Sequence, residues 1–490
     1  MRACLSILLL ATTCWQCASA VSVSSSKLTS YPRWLRPSSL IIRKKKKQTI
    51  LSFRGGAAAA QQQQKAAITS IVTDDDDKNN EDGATIPNEV FNLVKSIVGA
   101  GVLGLPAGIA AFGNAPSALI PSLALLVMIG TVSGYCFFLI GRVCAYTGAV
   151  SYRDAWKKSV GERGSWLPAL CCLLVTVCSV VAYSMILSDT IPQLLVSVGM
   201  LGVSRTQALL GITTTVLLPL CLLKELKSLA PFSLVGICGM VYTTLAMAAR
   251  YFGEQYKEGG ALLESIASQY QPSFGNKGAS AVLSPNAFIL ISMLSTASMS
   301  HYLAHKFYRE LRNNTIARFK TVVGVSFSIA TLLFAAVASL GFLTFGGASS
   351  GLVLNNYSTK DTLMSLSRVA VVVSLLTSYP LAFTGVRDGF LDLAGVAPAK
   401  RSNAMLNILT VALLAVITVL AHFVRDLTLI LSFGGATWGN AVIYLFPTYM
   451  FVQCAKKMPE LRKEVPLATA TGLLGLAMGV IGTQKAIQNL

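Results

Sequence analysis

The chain has 490 residues, 53% hydrophobic and only 12% charged, with Lys+Arg 40 against Asp+Glu 21 and a net charge of +19. Soluble domains carry roughly 25% charged residues, so this composition argues against a cytosolic enzyme. The positive residues lie mainly between long apolar blocks rather than in one basic patch, which argues against a nucleic-acid partner.

In chain order, the first 87 residues stand apart. Arg2 precedes a short apolar run, Leu5 to Ala11, and then Ala18-Ser19-Ala20, a small-x-small cleavage pattern. Residues 1–20 therefore read as a secretory signal peptide, too short to cross a bilayer. Residues 21–87 are Ser-rich and basic at first, with a positive run from Arg43 to Lys47, and acidic later, at Asp74 to Asp77. They read as a disordered tail. With the leader they resemble the bipartite presequence of plastids enclosed by more than two membranes, although Val21 stands where an aromatic is common. An ordinary tail behind an incidental apolar start is the other reading.

Apolar blocks of about 20 residues match a bilayer core of roughly 30 Å. Eleven follow, at 88–112, 116–142, 167–192, 207–223, 229–251, 286–308, 321–345, 363–391, 403–422, 428–452 and 467–487. The fold class expected is an all-α membrane protein. The loops after the even-numbered spans hold eighteen Lys and Arg and the others six, which places the N-terminus inside and the C-terminus outside. Cleavage of a leader at a plain secretory membrane would deliver residue 21 to the opposite side, so an organelle membrane of the complex-plastid kind is expected, or otherwise a vacuolar, endomembrane or plasma membrane without cleavage. Sequons stand at Asn313 and Asn356, in an inner and an outer loop respectively.

The eleven cysteines show no paired CxxC spacing, and there are only three histidines, with no HExxH, GxSxG or P-loop pattern. No catalytic residue, metal or cofactor is expected.

Candidate functional residues lie where helices are hard to continue. Span 1 carries Gly99, Gly101, Gly104 and Pro106, poor material for an unbroken helix. Non-helical backbone at membrane depth persists only when buried in protein or lining a cavity. Freed amides at the start of a second half-helix suit a carboxylate, and freed carbonyls at the end of the first suit an ammonium, so a broken helix suits a zwitterion. A close helix–helix contact of the GxxxG kind fits the same glycines. Span 6 carries Ser292, Ser295, Thr296, Ser298, Ser300 and His301, a composition for a second break or for hydroxyls bonding back to their own turn. Lys95 lies about 10 Å into span 1 at 1.5 Å per residue. An ammonium at that depth is either functional or snorkels to the surface. Arg142 and Arg368 lie nearer span ends and are expected to snorkel.

The run Asn92 to Pro106, continued by Ala107 to Gly113, resembles the first helix of the amino acid/auxin permease family. Similar to that family, in order, are Tyr183 with Pro192; Leu217 to Leu226; His301 with Tyr308-Arg309-Glu310-Leu311; Gly341 to Gly346; Thr377-Ser378-Tyr379-Pro380 with Arg387; and Gly435-Ala436-Thr437 with Phe446-Pro447. The resemblance covers about 88–487.

It implies a five-plus-five inverted repeat with helices 1 and 6 broken at the substrate. By the same implication, Gly99, Ala100 and Gly101 meet the substrate carboxylate, Ile97, Ser295 and Ala297 meet its ammonium, and Tyr183 is a neighbour. Sodium-coupled members have Asn at the position of Lys95, paired with a Thr where this chain has Ser378, and proton-coupled members resemble this chain in having Lys. The implied function is sodium-independent, proton-coupled transport of neutral amino acids, with Lys95 standing in for the cation and His301 a second proton candidate. A sodium-coupled or exchange-mode transporter, or a transporter-like amino-acid sensor, is the alternative.

Overall fold

The computed structural model describes residues 83–223, 233–396 and 400–488. The expectations for the leader and most of the tail, and the inner-loop residues Lys224 and Lys227, lie outside them.

The regular elements of the described residues are all helices, joined by turns and loops that carry two isolated bridges, Ala84 with Leu311 and Ser273 with Gly346. Span 1 is α1 (Ile86–Ile97) and, bent from it by 46°, the stretch Ala100–Ala110, which ends in α2 (Leu105–Ala110). After it come α3 (Leu119–Thr147), the short surface helix α4 (Tyr152–Ser159) and α5 (Trp166–Ser197). Span 4 is α6 (Arg205–Ile212) with α7 (Leu218–Leu222), and span 5 is α8 (Ser233–Phe252). Span 6 joins α9 (Ala287–Ala297) to α10 (Ala304–Glu310). Then follow α11 (Ile316–Phe345), α12 (Thr362–Leu393) and α13 (Asn403–Phe423). Span 10 is α14 (Leu427–Gly434) with α15 (Phe446–Lys457), and α16 (Val465–Gln488) is last. Among the described residues nine helical segments are long and apolar enough to cross a membrane, ten with the bent pair. The expected span 229–251 corresponds to α8, the start of that range falling outside the described residues.

Local chemistry sets the ends. Ser151, Thr315, Asp361, Ser402 and Asp426 each accept an amide of the first turn they precede, and Ser204 forms a reciprocal cap with Gln207. Widened turns at Thr213–Leu217 and Ala441–Leu445 stand just before Pro219 and Pro447. A proline offers no N–H to the carbonyl four residues back, and the widened turn absorbs the mismatch.

The loops sort to two faces. On one, Ala84 bonds Glu310 and Arg312, Arg142 pairs with Glu464, and Arg153 reaches the Asp392 carbonyl. These are the N-terminal segment and the Lys/Arg-rich loops, and this is called the near face below. On the far face, Asn356 bonds the carbonyl of Tyr270, and Arg205 that of Ala421.

Two expectations are corrected. Arg368 does not snorkel: it is fully buried and donates to Gln193 Oε1 at 2.7 Å and to the carbonyls of Leu354, Tyr357 and Ser358. Arg142 is likewise buried, gripped by both carboxylate oxygens of Glu464 with its guanidinium 4.9 Å over the Phe451 ring. The Asn356 sequon is also spoken for, because its amide is buried and bonds Ser350, Ala348 and Tyr270.

Candidate substrate site between two broken helices

The break in span 1 falls at Val98 and Gly99, both extended (ψ 94° and 178°), followed by a 3-10 turn, Ala100–Gly104. The first bond of that turn runs from the Val102 amide to the Gly99 carbonyl, at 3.2 Å. The amides of Gly99, Ala100 and Gly101 precede it and are left over at a helical start. Span 6 breaks at Ser298 to Ser300, with the Ser298 amide closing on Leu294 and the Met299 amide on Thr296. Among the described backbone bonds, none reaches the carbonyls of Ile97 or Ala297.

A cavity of about 100 Å³ lies between the two breaks. One water needs about 10–15 Å³ on that measure, so a small organic solute fits. Of the residues expected at the substrate, the cavity brings together Ile97, Gly99, Gly101, Tyr183 and Ala297. The two glycines leave room in it: a Cβ on Gly99 would come no closer than 3.8 Å, to Tyr183 Oη, and one on Gly101 no closer than 3.7 Å, to Leu431. Ala100 and Ser295 are not on its wall. Ala100 lines a narrow cleft with Gly236, Gly239 and Ser374. Ser295 turns its hydroxyl to the Ile291 carbonyl and to Tyr444 Oη, each 3.0 Å away.

Sequence reasoning missed Thr176, Ser179 and Tyr302, and the cavity role of Thr296. Thr296 Oγ1 also donates to the Leu431 carbonyl at 2.6 Å, tying α9 to α14. The one available signal for Thr176 and Ser179 is their spacing from Tyr183, which puts all three on one stripe of α5.

The expected coupling residues lie around the cavity rather than in it. Lys95 is half-buried in the last turn of α1 and makes no hydrogen bond or ion pair among the described residues. Ser378 is half-buried on α12, one turn from Ser374 in the cleft and one turn from Ala382 on the cavity wall. His301 is fully buried, donates from Nε2 to the Ser133 carbonyl at 2.9 Å, and stands edge-on to Phe137 and Phe327.

The cavity is closed unequally. Its one exposed lining residue is Ser96, on the near-face side of the span 1 break. Toward the far face, Gly104 packs against Leu431, Met293 and the Gly351 carbonyl. Above them runs the segment 346–361. Arg368 holds its carbonyls from within, and Arg250 and Tyr256 bind Asp361 at its end. Burial, with the Asp361 carboxylate beside it, pushes the Tyr256 phenol well above its ordinary value, so it remains the donor of that bond.

Two broken helices that meet at a small cavity are the pattern in which secondary transporters build their substrate sites. A family model described as "Transmembrane amino acid transporter protein" matches residues 82–488.

The chain belongs to that family.

The transporter is similar to the protein named "Putative sodium-coupled neutral amino acid transporter 11" in Mus musculus, 22% identical over 82% of this chain and 84% of that protein. It is 24% identical to the protein of that name in Bos taurus, over 81% of this chain and 83% of that protein. It is 23% identical to "Amino acid transporter AVT6E" of Arabidopsis thaliana, over 83% of this chain and 84% of that protein. The chain is thus an integral multi-pass membrane protein of amino acid transport.

Proposed function

We propose that the transporter moves neutral amino acids by alternating access, independently of sodium and coupled to protons. The observation that carries this reading is the make-up of the cavity. Free amides of the span 1 break stand on its wall, open carbonyls end the preceding half-helices, and among the described residues no Asp, Glu, Lys, Arg or His lines it. Such a wall binds a carboxylate and an ammonium through backbone and offers no charged partner to a side chain.

The coupling rests on Lys95. An ammonium just before the break supplies the positive charge that a sodium ion would otherwise bring, and it can release and regain a proton as the helix moves. Intramembrane ionisable residues of this kind mark ion pathways. Gly99 and Gly101, with Ile97 and Ala297, hold the substrate backbone, while Ser378 supports the Lys95 side of the break. The lipid bilayer is its solvent. The near face is cytosolic or its organellar equivalent, and residues 1–82 serve targeting.

A sodium-coupled reading is favoured by the names of two relatives. Uptake of labelled L-alanine, L-leucine and L-glutamine into proteoliposomes carrying the full chain decides between them. Uptake driven by an imposed pH gradient at zero sodium supports the proposal. Uptake that stops when sodium is removed overturns its coupling, and no uptake under any gradient overturns transport in favour of a sensor.

A further inference from the structure

A carboxyl group stands unpaired near the start of span 1. Of the two fully buried acids among the described residues, Asp361 is bound by Arg250 and Tyr256, whereas Glu89 makes no ion pair. Glu89 Oε2 accepts from the Asn92 side-chain amide over a long 3.4 Å, and Oε1 is buried with no partner among the described residues. An ionised carboxylate is costly in such a place unless it is paired or takes up a proton.

The elements around Glu89 bring few charges to it. On α1 itself Lys95 follows six residues later, about 9 Å along the axis. On α10 the nearby charges are Lys306 and Glu310, both exposed and 3.8 Å from each other. The end of α10 is tied to the entry of α1, since the Ala84 amide donates to the Glu310 carbonyl and the Arg312 amide to the Ala84 carbonyl. α11 packs Ser326 on the Val90 carbonyl, and its buried positions one turn earlier, Val322 and Val323, are apolar. α8 has a single charge, Arg250, which is held by Asp361 on the far face.

Glu89 is nevertheless connected to the cavity. Glu89, Asn92 and Ser96 follow at intervals of three and four, on one stripe of α1. Ser96 lines the cavity and donates to the Asn92 carbonyl at 3.0 Å. Asn92 and Ser96 are exposed, so near-face solvent comes within one turn of the buried carboxyl. Exclusion of water favours the neutral acid, while the positive end of the α1 dipole and the Lys306 ammonium favour the anion. A carboxyl balanced between two such influences is suited to taking up and releasing a proton.

We infer that Glu89 is a proton-binding site of the transport cycle. In this conformation Oε1 carries the proton. The O–H bond breaks toward near-face water, and Lys306 turns from Glu310 to the carboxylate that is left. The inference rests on the proposed coupling to protons, and it gives the proton carried by Lys95 an exit at the near face.

The test uses the full chain in proteoliposomes with an entrapped pH-sensitive dye, in sodium-free buffer. Two rates are read: internal acidification driven by external L-alanine, and exchange of labelled for unlabelled L-alanine at equal pH on both sides. Exchange returns the carrier loaded and needs no proton release. Glu89→Gln is expected to slow acidification by about tenfold or more while exchange persists, and Glu89→Asp to recover part of the lost rate. Lys306→Gln, an exposed change, is expected to slow acidification by about threefold with exchange intact. Unchanged acidification in Glu89→Gln or, should that variant fail to insert, in Lys306→Gln overturns the proton site and leaves the transport reading standing. Equal loss of both rates in Glu89→Gln, with no recovery in Glu89→Asp, makes Glu89 a packing group and overturns it as well. A wild type that takes up alanine without acidification overturns the proton coupling and this site together.

Discussion

Gly99 and Gly101 are required for the space they leave rather than for an unusual backbone angle. A methyl group on Gly101 would stand in the cavity, with Leu431 at 3.7 Å as its nearest wall. Gly101→Ala is therefore expected to fold and insert normally but to raise the KM for L-leucine uptake about tenfold, equivalent to ~1.4 kcal/mol of binding, with a smaller effect on L-alanine. An unchanged KM for both would move the substrate elsewhere. His301 behaves oppositely. Its ring is held by Ser133 and packed on two phenylalanines, outside the cavity wall. Replacing it with Phe removes this hydrogen bond, at a cost of ~0.5–1.5 kcal/mol, while the Ser133 carbonyl keeps its acceptor role within α3. The expected result of His301→Phe is a lower melting temperature with the pH profile of uptake retained, and a flattened pH profile in a stable variant would give His301 a proton-carrying role. The glycines were legible because three of them with a proline stand inside an apolar block. Thr176 and Ser179 were not, because both hydroxyls bond back to their own helix like any other in an apolar span.

Between elements, the close approach of α9 to span 10 has a sharp requirement. A Cβ on Gly435 would lie 2.0 Å from the Ser292 carbonyl oxygen and 2.4 Å from Thr296 Oγ1. Neither backbone can yield without shifting α9, which carries the span 6 side of the cavity. Overpacking of this kind costs ~1–3 kcal/mol or more, so Gly435→Ala is expected to lose uptake and to lower detergent-extracted yield together. Normal yield and uptake would show that the two helices are looser than described. The spans were readable from block length, and their ends from caps and prolines. What the sequence withholds is the rotation of a helix about its axis. Ser295 and Thr296 sit in one polar stretch, yet a step of about 100° turns Ser295 to Tyr444 and Thr296 to the cavity. Arg368 was misread for a related reason: its acceptors are loop carbonyls folded over the helix end, far from it in chemical character and invisible to a hydropathy pattern.

At the scale of the molecule, the two faces differ in chemistry as well as charge. The near face carries most of the Lys and Arg and leaves the cavity its one exposed lining residue, Ser96. The far face is sealed by a segment whose carbonyls are held by a buried guanidinium, with one layer of side chains beneath it. In the proposed alternating-access cycle the broken helices are exposed first to one side and then to the other, and Lys95 travels with the first of them. Charge asymmetry in the loops made the faces legible in advance. The far-face seal was not, since it depends on the loop between α11 and α12 folding back over the helices. The central claim is that amino acid and proton cross together without sodium. It is tested most directly by entrapping a pH-sensitive dye in proteoliposomes, adding L-alanine outside in sodium-free buffer, and following the internal pH. Acidification by the wild type that is lost in Lys95→Ala is the expected result. Labelled alanine entering with no change in internal pH, or entering only when sodium is present, would contradict it.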